Sequence, residues 1–203
     1  MSSIQQLFSF RQYLRPALTL FILMTVVTGV LYPLAVTAVA QIAFPAAATG
    51  SLVKNQAGEV IGSALLGQSF ARPEYFAGRP SATSPVPGNA GASSGSNLAP
   101  TNAAFVKTVS ERAAALRKAN PQAHENPPID LVTASASGLD PDISVEGALY
   151  QAERVAGARE LSIEQVKSII AKVTKERQFG IFGERRVNVL ELNLALDKLK
   201  DAR

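Results

Sequence analysis

An uncharged, strongly apolar stretch near the N-terminus is the feature that most constrains this 203-residue chain. No charged residue lies between Arg15 and Lys54, and residues 17–44 are mostly hydrophobic. A helix of about 20 apolar residues crosses the hydrocarbon core of a bilayer, so this stretch is long enough to span one. We predict one transmembrane helix over residues 17–44, with residues 1–16 before it and a domain of residues 45–203 after it.

The flanking charges predict the orientation of this helix. Arg11 and Arg15 precede the stretch, whereas Lys54 is the first cation after it. Because cations concentrate on the cytoplasmic side of a membrane helix, residues 1–16 are expected in the cytoplasm and residues 45–203 outside it. The alternative is a signal peptide cleaved at the alanines of residues 46–48. The apolar core of a signal peptide is about 7–15 residues long, which favours an uncleaved anchor.

Three residues of the predicted span are candidates for packing against another helix. Thr25 and Gly29 lie four residues apart on one face, a spacing of small residues that lets helices approach closely. Gly and Thr are also common in membrane helices generally, so the pattern has an ordinary reading as well. Pro33 is tolerated in a membrane when a neighbouring helix or a Thr hydroxyl satisfies the carbonyl that it frees.

Composition excludes several kinds of site. The chain has no Cys and one His, which excludes disulfides, a Cys-ligated metal, a Cys nucleophile and a multi-histidine centre. The net charge is only +4, so nothing points to nucleic acid as a partner. The mean hydropathy is positive, +0.12, and only 18% of residues are charged, so the composition is more apolar than that of an ordinary soluble domain. The apolar stretch accounts for this imbalance.

The remaining residues predict a mixed α+β domain with few, short strands. A hairpin is expected from residues 50–54 and 59–65 around a turn-rich tetrapeptide. Residues 81–100 are rich in Gly, Ser and Pro and lack charge, which predicts a flexible loop. Further strands are expected at residues 129–132 and 187–189, and helices at residues 102–119, 144–159, 162–178 and 188–199. Thr101 or Asn102 is the expected cap of the first of these helices, which should bury Phe105, Val109 and Leu116.

No residue pattern predicts an active site. Ser135 and Ser137 are not in a G-x-S-x-G sequence, and His124 lies in a proline-rich linker where a solvated side chain is the usual outcome. Asp140 and Asp142 could be paired acids, but Asp-Pro-Asp is first a turn sequence with charge near a helix N-terminus. We therefore do not expect the chain to be an enzyme on its own.

An ordered series of short motifs carries a family resemblance. After the apolar stretch with Leu-Tyr-Pro-Leu at residues 31–34 come the blocks at residues 75–82, 94–98, 130–140 and 189–197. In that order they resemble the C subunit of the bacterial Kdp potassium-transporting P-type ATPase, and the match covers nearly the whole chain. The residues that carry the motifs are Gly78, Arg79, Pro80, Ser81, Asn97, Ser135, Ser137, Gly138 and Asp140.

The resemblance implies an accessory subunit of a cell inner membrane complex that imports potassium by ATP hydrolysis. The implied partners are an ATP-hydrolysing pump subunit, a potassium-channel-like subunit, a small membrane subunit and membrane lipid. It also implies a catalytic chaperone that raises the affinity of the pump subunit for ATP, the nucleotide being reached through that subunit. Gln151 is the residue expected to contribute a polar nucleotide contact; the alternative is an exposed helix Gln with no such role.

This implied role and the predicted topology disagree, because the nucleotide domain of a P-type pump is cytoplasmic. Both hold only if an effect on ATP is transmitted through the span. Our expectation is that the periplasmic domain caps the outer mouth of the ion-conducting subunit, while the face of Thr25 and Gly29 docks on its helices. The alternatives are a signal-anchored periplasmic binding or envelope module unrelated to ion transport, and a secreted hydrolase.

Overall fold

A computed structural model of the chain describes residues 3–55 and 57–201, and side chains over residues 12–55 and 57–199. The chain divides into two units, Met1–Ser51 and Leu52–Arg203. The first unit consists of helices α1 (Ser3–Val26), α2 (Tyr32–Ala43) and α3 (Pro45–Ala48), with a π-helical turn at Val27–Leu31 between α1 and α2. Within the described residues, one helical segment, Gln12–Ala43, is long enough and apolar enough to cross a membrane.

A proline determines the position of each end of α2. Phe44, at φ −138° and ψ 56°, leaves the helical region because it precedes Pro45, whose ring disfavours helical geometry in the residue before it. At the other end, Pro33 has no N–H to continue the ladder, and the N–H of Tyr32 donates instead to the carbonyl of Val27, five residues earlier. The apolar helix therefore absorbs its proline by widening one turn.

The threonine hydroxyls of this helix bond to carbonyls that precede the π turn. Thr25 and Thr28 each donate to the carbonyl four residues earlier, at 2.8 and 2.7 Å. The carbonyl freed by Pro33 is expected to bond to a neighbouring helix or a Thr hydroxyl, whereas these two hydroxyls bond to the carbonyls of Phe21 and Met24. A Cβ added at Gly29 would meet no atom within 4 Å, so its surface is open to a close approach by another helix.

The second unit contains two small antiparallel sheets and five helices among its described residues. Strands β1 (Leu52–Lys54) and β2 (Val60–Ser63) form the predicted hairpin. The other sheet has the order β3–β5–β4, formed by β3 (Asp142–Ser144), β4 (Thr174–Lys175) and β5 (Arg186–Asn188). The helices are α4 (Ala103–Ala119), α5 (Ile129–Val132), α6 (Val145–Arg159), α7 (Ile163–Val173) and α8 (Val189–Asp201). The α+β class expected from the sequence is confirmed.

Side-chain caps define where the helices begin, as the sequence predicted. Asn102 accepts from the N–H of Ala104 at 2.8 Å, and Ser144 accepts from that of Gly147 at 2.8 Å. Ser162 and Gln165 form the complete capping box. The side-chain oxygen of Asn188 accepts from the backbone N–H of Glu191, the third residue of α8, at 3.1 Å. These bonds satisfy N–H groups that have no partner inside the helix.

Three local predictions were wrong. Residues 129–132, expected as a strand, form the one-turn helix α5, because a short apolar run has no period that separates helix from strand. The helix expected to reach Gln178 ends at Val173, since Thr174 and Lys175 pair with β5. The apolar stripe of α4 is only half-buried, and α4 contains no fully buried residue.

The core lies where α6, α7 and α8 pack together and against β5. Burial of apolar side chains is the main stabilising contribution to such a domain. The largest fully buried apolar side chains are Phe76, Ile143, Val155, Val166, Ile170, Val187, Leu192 and Leu196. Phe76 comes from the irregular chain between β2 and α4, so this long segment is anchored in the core.

Candidate functional site

Three motif segments that are far apart in the sequence meet in one place. The backbone N–H of Ser135 donates to the carbonyl of Pro80 at 3.2 Å, and the hydroxyl of Ser81 donates to that of Gly138 at 2.7 Å. The carbonyl of Ser137 accepts from the backbone of Ser94 and from the hydroxyl of Ser93, each at 3.0 Å. We call residues 78–83, 93–95 and 135–140 the motif cluster. Segment 81–100 thus has defined contacts although it contains no helix or strand.

An ion pair closes one side of the motif cluster. The guanidinium of Arg79 lies 2.9 Å from the carboxylate of Asp140, and both side chains are partly buried. The other carboxylate oxygen of Asp140 accepts from the backbone N–H of Asp142 at 3.0 Å, as expected of a turn. Asp142 itself pairs with Arg186 at 3.0 Å. The two aspartates considered as paired acids are therefore each held by a different arginine.

Burial changes the ionisation of one of these acids. The pKa of Asp142 is raised above its usual value, chiefly because burial disfavours the carboxylate, and the nearby cations Lys175 and Arg186 only partly offset this. The amide of Asn188 donates to the same carboxylate at 3.2 Å. Asp142 is thus a half-buried structural acid at the start of β3.

Two glycines of the motif cluster are required by close backbone approach. Gly138 has φ +68°, and a Cβ there would lie 2.6 Å from Cγ2 of Thr83 and 2.8 Å from the carbonyl oxygen of Ser94. A Cβ at Gly95 would lie 2.7 Å from the carbonyl oxygen of Ala136. Such distances are shorter than any side chain tolerates, so glycine lets the three segments touch.

The space inside the motif cluster is too small for an organic ligand. The cavity beside Arg79, Ser81 and Asp140 has a volume of about 20 Å³, whereas ligand pockets generally have about 300–1,000 Å³. Three described buried side-chain atoms have no hydrogen-bond partner, and two of them, Nε of Arg79 and Oγ of Ser135, lie in the motif cluster; the third is Oη of Tyr150. The arrangement therefore joins chain segments rather than cradling a substrate.

Gln151, the predicted nucleotide contact, is fully buried. Its side-chain oxygen accepts from the N–H of Ala77 at 2.8 Å, and its amide nitrogen donates to the carbonyl of Ala77 at 3.1 Å. It is 0% exposed, so the alternative of an exposed helix Gln was wrong. The same oxygen also accepts from Arg154 at 2.9 Å. The side-chain amide of Gln151 thus satisfies both the N–H and the carbonyl of Ala77, as the backbone of a neighbouring strand does in a sheet.

Asn193 makes the same kind of contact with the residue before Ala77, and it was not identified from the sequence. Its side-chain oxygen accepts from the N–H of Phe76 at 2.8 Å, and its nitrogen donates to the carbonyl of Phe76 at 3.0 Å. Both amides lie among apolar residues on helices, Gln151 on α6 and Asn193 on α8. A polar residue within an apolar stripe was the available signal, because buried amides are generally hydrogen-bonded.

Two arginines hold the chain just before this point. Arg154 donates to the carbonyls of Pro73 and Tyr75, and burial lowers its pKa from the usual value. Arg159 donates to the carbonyl of Glu74 at 2.6 Å and pairs with Asp197 at 2.8 Å. We call residues 73–77 the clamped segment, since four side chains from α6 and α8 bind its backbone.

A ligand-sized cleft of about 470 Å³ lies beside the clamped segment. Tyr75 forms one wall, with the guanidinium carbons of Arg72 and Arg159 at 4.8 and 4.9 Å from its ring centre. Acidic side chains at residues 74, 160 and 197 also line the cleft. Because both signs of charge are present, the cleft has no clear preference for an anion or a cation.

The remaining predicted residues lie outside the cleft beside the clamped segment. Asn97 is exposed and adopts a left-handed backbone with φ +50°. His124 lies in the exposed chain between α4 and α5. Thr25, Gly29 and Pro33 belong to the first unit, and Gly78 and Pro80 belong to the motif cluster.

These features define the class of the chain: one long apolar helix followed by a small α+β domain whose loops are fastened by side chains. A family model described as "K+-transporting ATPase, c chain" matches residues 14–198. The chain belongs to this family, KdpC. The family confirms the resemblance seen in the motifs and decides against the unrelated envelope module.

Several curated relatives are similar over nearly their whole length. A "Potassium-transporting ATPase KdpC subunit" of Herminiimonas arsenicoxydans is 56% identical over 91% of this chain and 97% of its own. Relatives of the same name from Dechloromonas aromatica and Herpetosiphon aurantiacus are 56% and 54% identical, over 92% and 94% of this chain and 97% and 98% of their own. These relatives and the family model agree on the same family, KdpC.

Proposed function

We propose that this chain is a non-catalytic subunit that holds the potassium-transporting complex together from the extracytoplasmic side. One observation carries the proposal: the motif residues contact one another instead of enclosing a ligand-sized cavity. Their ion pair, serine bonds and glycine contacts join three chain segments, as a rigid docking module requires. The family supports the other part of the proposal, the role in a transport complex, because a transporter subunit acts on its partners.

In this proposal the apolar helix is an uncleaved anchor with residues 1–16 in the cytoplasm. The support is the distribution of cations, with Arg11 and Arg15 before the helix and Lys54 after it. The domain then stands over the outer mouth of the ion-conducting subunit, in the periplasm. Thr25 and Gly29 would face a helix of a partner, since a Cβ at Gly29 would meet no neighbouring atom.

We further propose that any effect of this chain on ATP affinity is indirect. An extracytoplasmic domain does not reach a cytoplasmic nucleotide, so the effect must be a coupling free energy transmitted by the span and its partners. Gln151 enters this proposal through the clamped segment, whose backbone its amide binds. A direct contact of Gln151 with ATP stays a prediction and would require both amide bonds to Ala77 to open.

The topology can be tested with single cysteines, because the chain has none of its own. Gly95 is a poor site, since its Cβ would lie 2.7 Å from Ala136 O; the exposed Glu125 is better. In intact cells, Glu125→Cys should react with a membrane-impermeant maleimide, and Gln6→Cys should react only after lysis. The reverse pattern would overturn the proposed orientation.

The coupling to ATP can be tested on the complex purified with and without this chain. Coupling energies of 1–3 kcal/mol predict that omission raises the KM for ATP by about 5- to 150-fold. A complex that assembles without this chain and keeps its KM for ATP would contradict the chaperone role. A cross-link between residue 151 and an azido-ATP analogue would contradict the indirect route.

A further inference from the structure

The hairpin between β4 and β5 ends in three exposed apolar side chains. Phe179, Ile181 and Phe182 are 82%, 73% and 63% exposed. Their backbone is fixed, because Gln178 and Phe182 exchange N–H to carbonyl hydrogen bonds of 2.9 Å in both directions. We call these three residues the apolar tip. Large apolar residues grouped in this way on a surface indicate an interaction site.

The backbone at Phe179 supports a role outside the folded chain. Its φ is +54°, in the left-handed region that bulky residues rarely adopt and that glycine or asparagine adopts easily. The ring is mostly exposed, so packing within the chain does not repay this strain. Because the position would be more stable with a small or polar residue, the aromatic ring is explained by a contact with something else.

The charges around the tip argue against attraction to anionic lipid. Each of the four cations of the hairpin has a carboxylate partner within the chain. The pairs are Lys175 with Glu191, Arg177 with Glu184, Arg185 with Glu176, and Arg186 with Asp142. Lipid-binding loops use cations that are free to meet the headgroups, whereas these are neutralised. The tip therefore offers an apolar surface without a surplus of free charge.

Its area argues against a second copy of this chain. The three exposed side chains present on the order of 400 Å², which matches a functional patch. A stable interface needs roughly 800 Å² from each partner, so the tip on its own is too small to hold a dimer. Its size and rigidity suit an aromatic anchor that adds to contacts made elsewhere in a complex.

We propose that the apolar tip inserts into an apolar recess on the extracytoplasmic surface of another subunit of the complex. This inference rests on the proposed function, since the recess belongs to a partner outside the cytoplasm. The fixed hairpin presents its side chains without an ordering step on binding, which favours affinity. Within the described chain, the tip is thus assigned as an anchor of assembly.

The test uses the full chain expressed with its complex, tagged and washed in detergent. Phe179→Asn and Ile181→Ser should increase the rate at which the partner subunits dissociate by about tenfold or more, as expected for an anchor residue. Ile129→Ser is the matched control, because Ile129 is 70% exposed and lies outside the hairpin; it should retain the partners as the unaltered chain does. The purified Phe179→Asn chain should unfold at the same or a higher temperature, since asparagine fits the left-handed backbone.

The outcomes separate the two proposals. Loss of partners by the unaltered chain overturns the proposed function and this inference together. Retention by both variants at the unaltered rate overturns only the assignment of the tip. If Phe179→Asn lowers the unfolding temperature, Ile181→Ser, which leaves the left-handed residue in place, decides the matter.

A lipid contact is distinguished by a probe. Ile181→Cys, labelled with an environment-sensitive fluorophore before assembly into phosphatidylethanolamine–phosphatidylglycerol nanodiscs, should not be quenched by lipid-attached nitroxide. Quenching there would replace the protein recess by the bilayer and overturn the proposal.

Discussion

Replacing Gln151 with leucine removes one amide and leaves two backbone groups of Ala77 without their partners. The N–H and carbonyl of Ala77 now bond to this side chain at 2.8 and 3.1 Å, and Gln151 is fully buried. An unsatisfied buried group costs about 1–3 kcal/mol, and Ala77 is only half-buried, so the lower part of that range applies to each. We expect a loss of about 2–3 kcal/mol in the free energy of unfolding.

The assay is thermal unfolding of the full chain in detergent, followed by circular dichroism. For a domain of this size each kcal/mol lowers the midpoint by about 2–4 °C, so the midpoint should fall by about 4–12 °C. Hydrogen exchange gives a local measurement, because the amide of Ala77 should lose protection before the helices do. Gln122→Leu is the matched control at an exposed position and should change stability by less than about 0.5 kcal/mol.

Two results would refute this reasoning. One is a Gln151→Leu midpoint equal to that of the Gln122→Leu control. The other is unchanged protection of the Ala77 amide. Either would mean that the amide of Gln151 does not hold the clamped segment, and a ligand would then be the better explanation for its position.

Three further predictions concern the motif cluster and its neighbour. Gly138→Ala should destabilise by about 2–3 kcal/mol, because φ is +68° and the added Cβ meets the backbone; denaturant titration that shows no change would contradict the close approach. A double-mutant cycle of Arg79→Met and Asp140→Asn should give a coupling of about 1 kcal/mol, modest because both side chains are partly solvated. The raised pKa of Asp142 means that the folded state binds a proton more tightly than the unfolded state, so stability relative to Asp142→Asn should increase as pH falls from neutral through the folded pKa. Unfolding curves between pH 7 and 4 test this sign, and the opposite slope would contradict it.

Features encoded in local order were predictable from the residues. The apolar helix follows from length and composition alone, and the caps at Asn102, Ser144 and Ser162 follow from the preference of short polar side chains for the exposed N–H groups of a helix start. The hairpin of β1 and β2 follows from a turn sequence between two apolar runs. Each depends on neighbours within a few residues.

Features that depend on distant partners were not predictable in the same way. Residues 174–175 leave the helical pattern because β5 pairs with them, and Ile129–Val132 is helical although its apolar run is equally suited to a strand. The motif residues were recognisable as a set, but their purpose was not, because the bond between Ser81 and Gly138 joins positions far apart in the chain. Family resemblance marks such residues without saying what they touch.

The amino-acid order alone therefore determines the long apolar helix, the α+β class and the family, since these rest on hydropathy, short-range capping and ordered motifs. Tertiary structure decides that Gln151 and Asn193 are buried and bind the backbone of residues 76–77, and that Phe179 and its neighbours remain exposed. The physical reason is that burial is a property of the packed chain. A polar amide gains its partner and an apolar ring is left without one only when segments far apart in sequence come together.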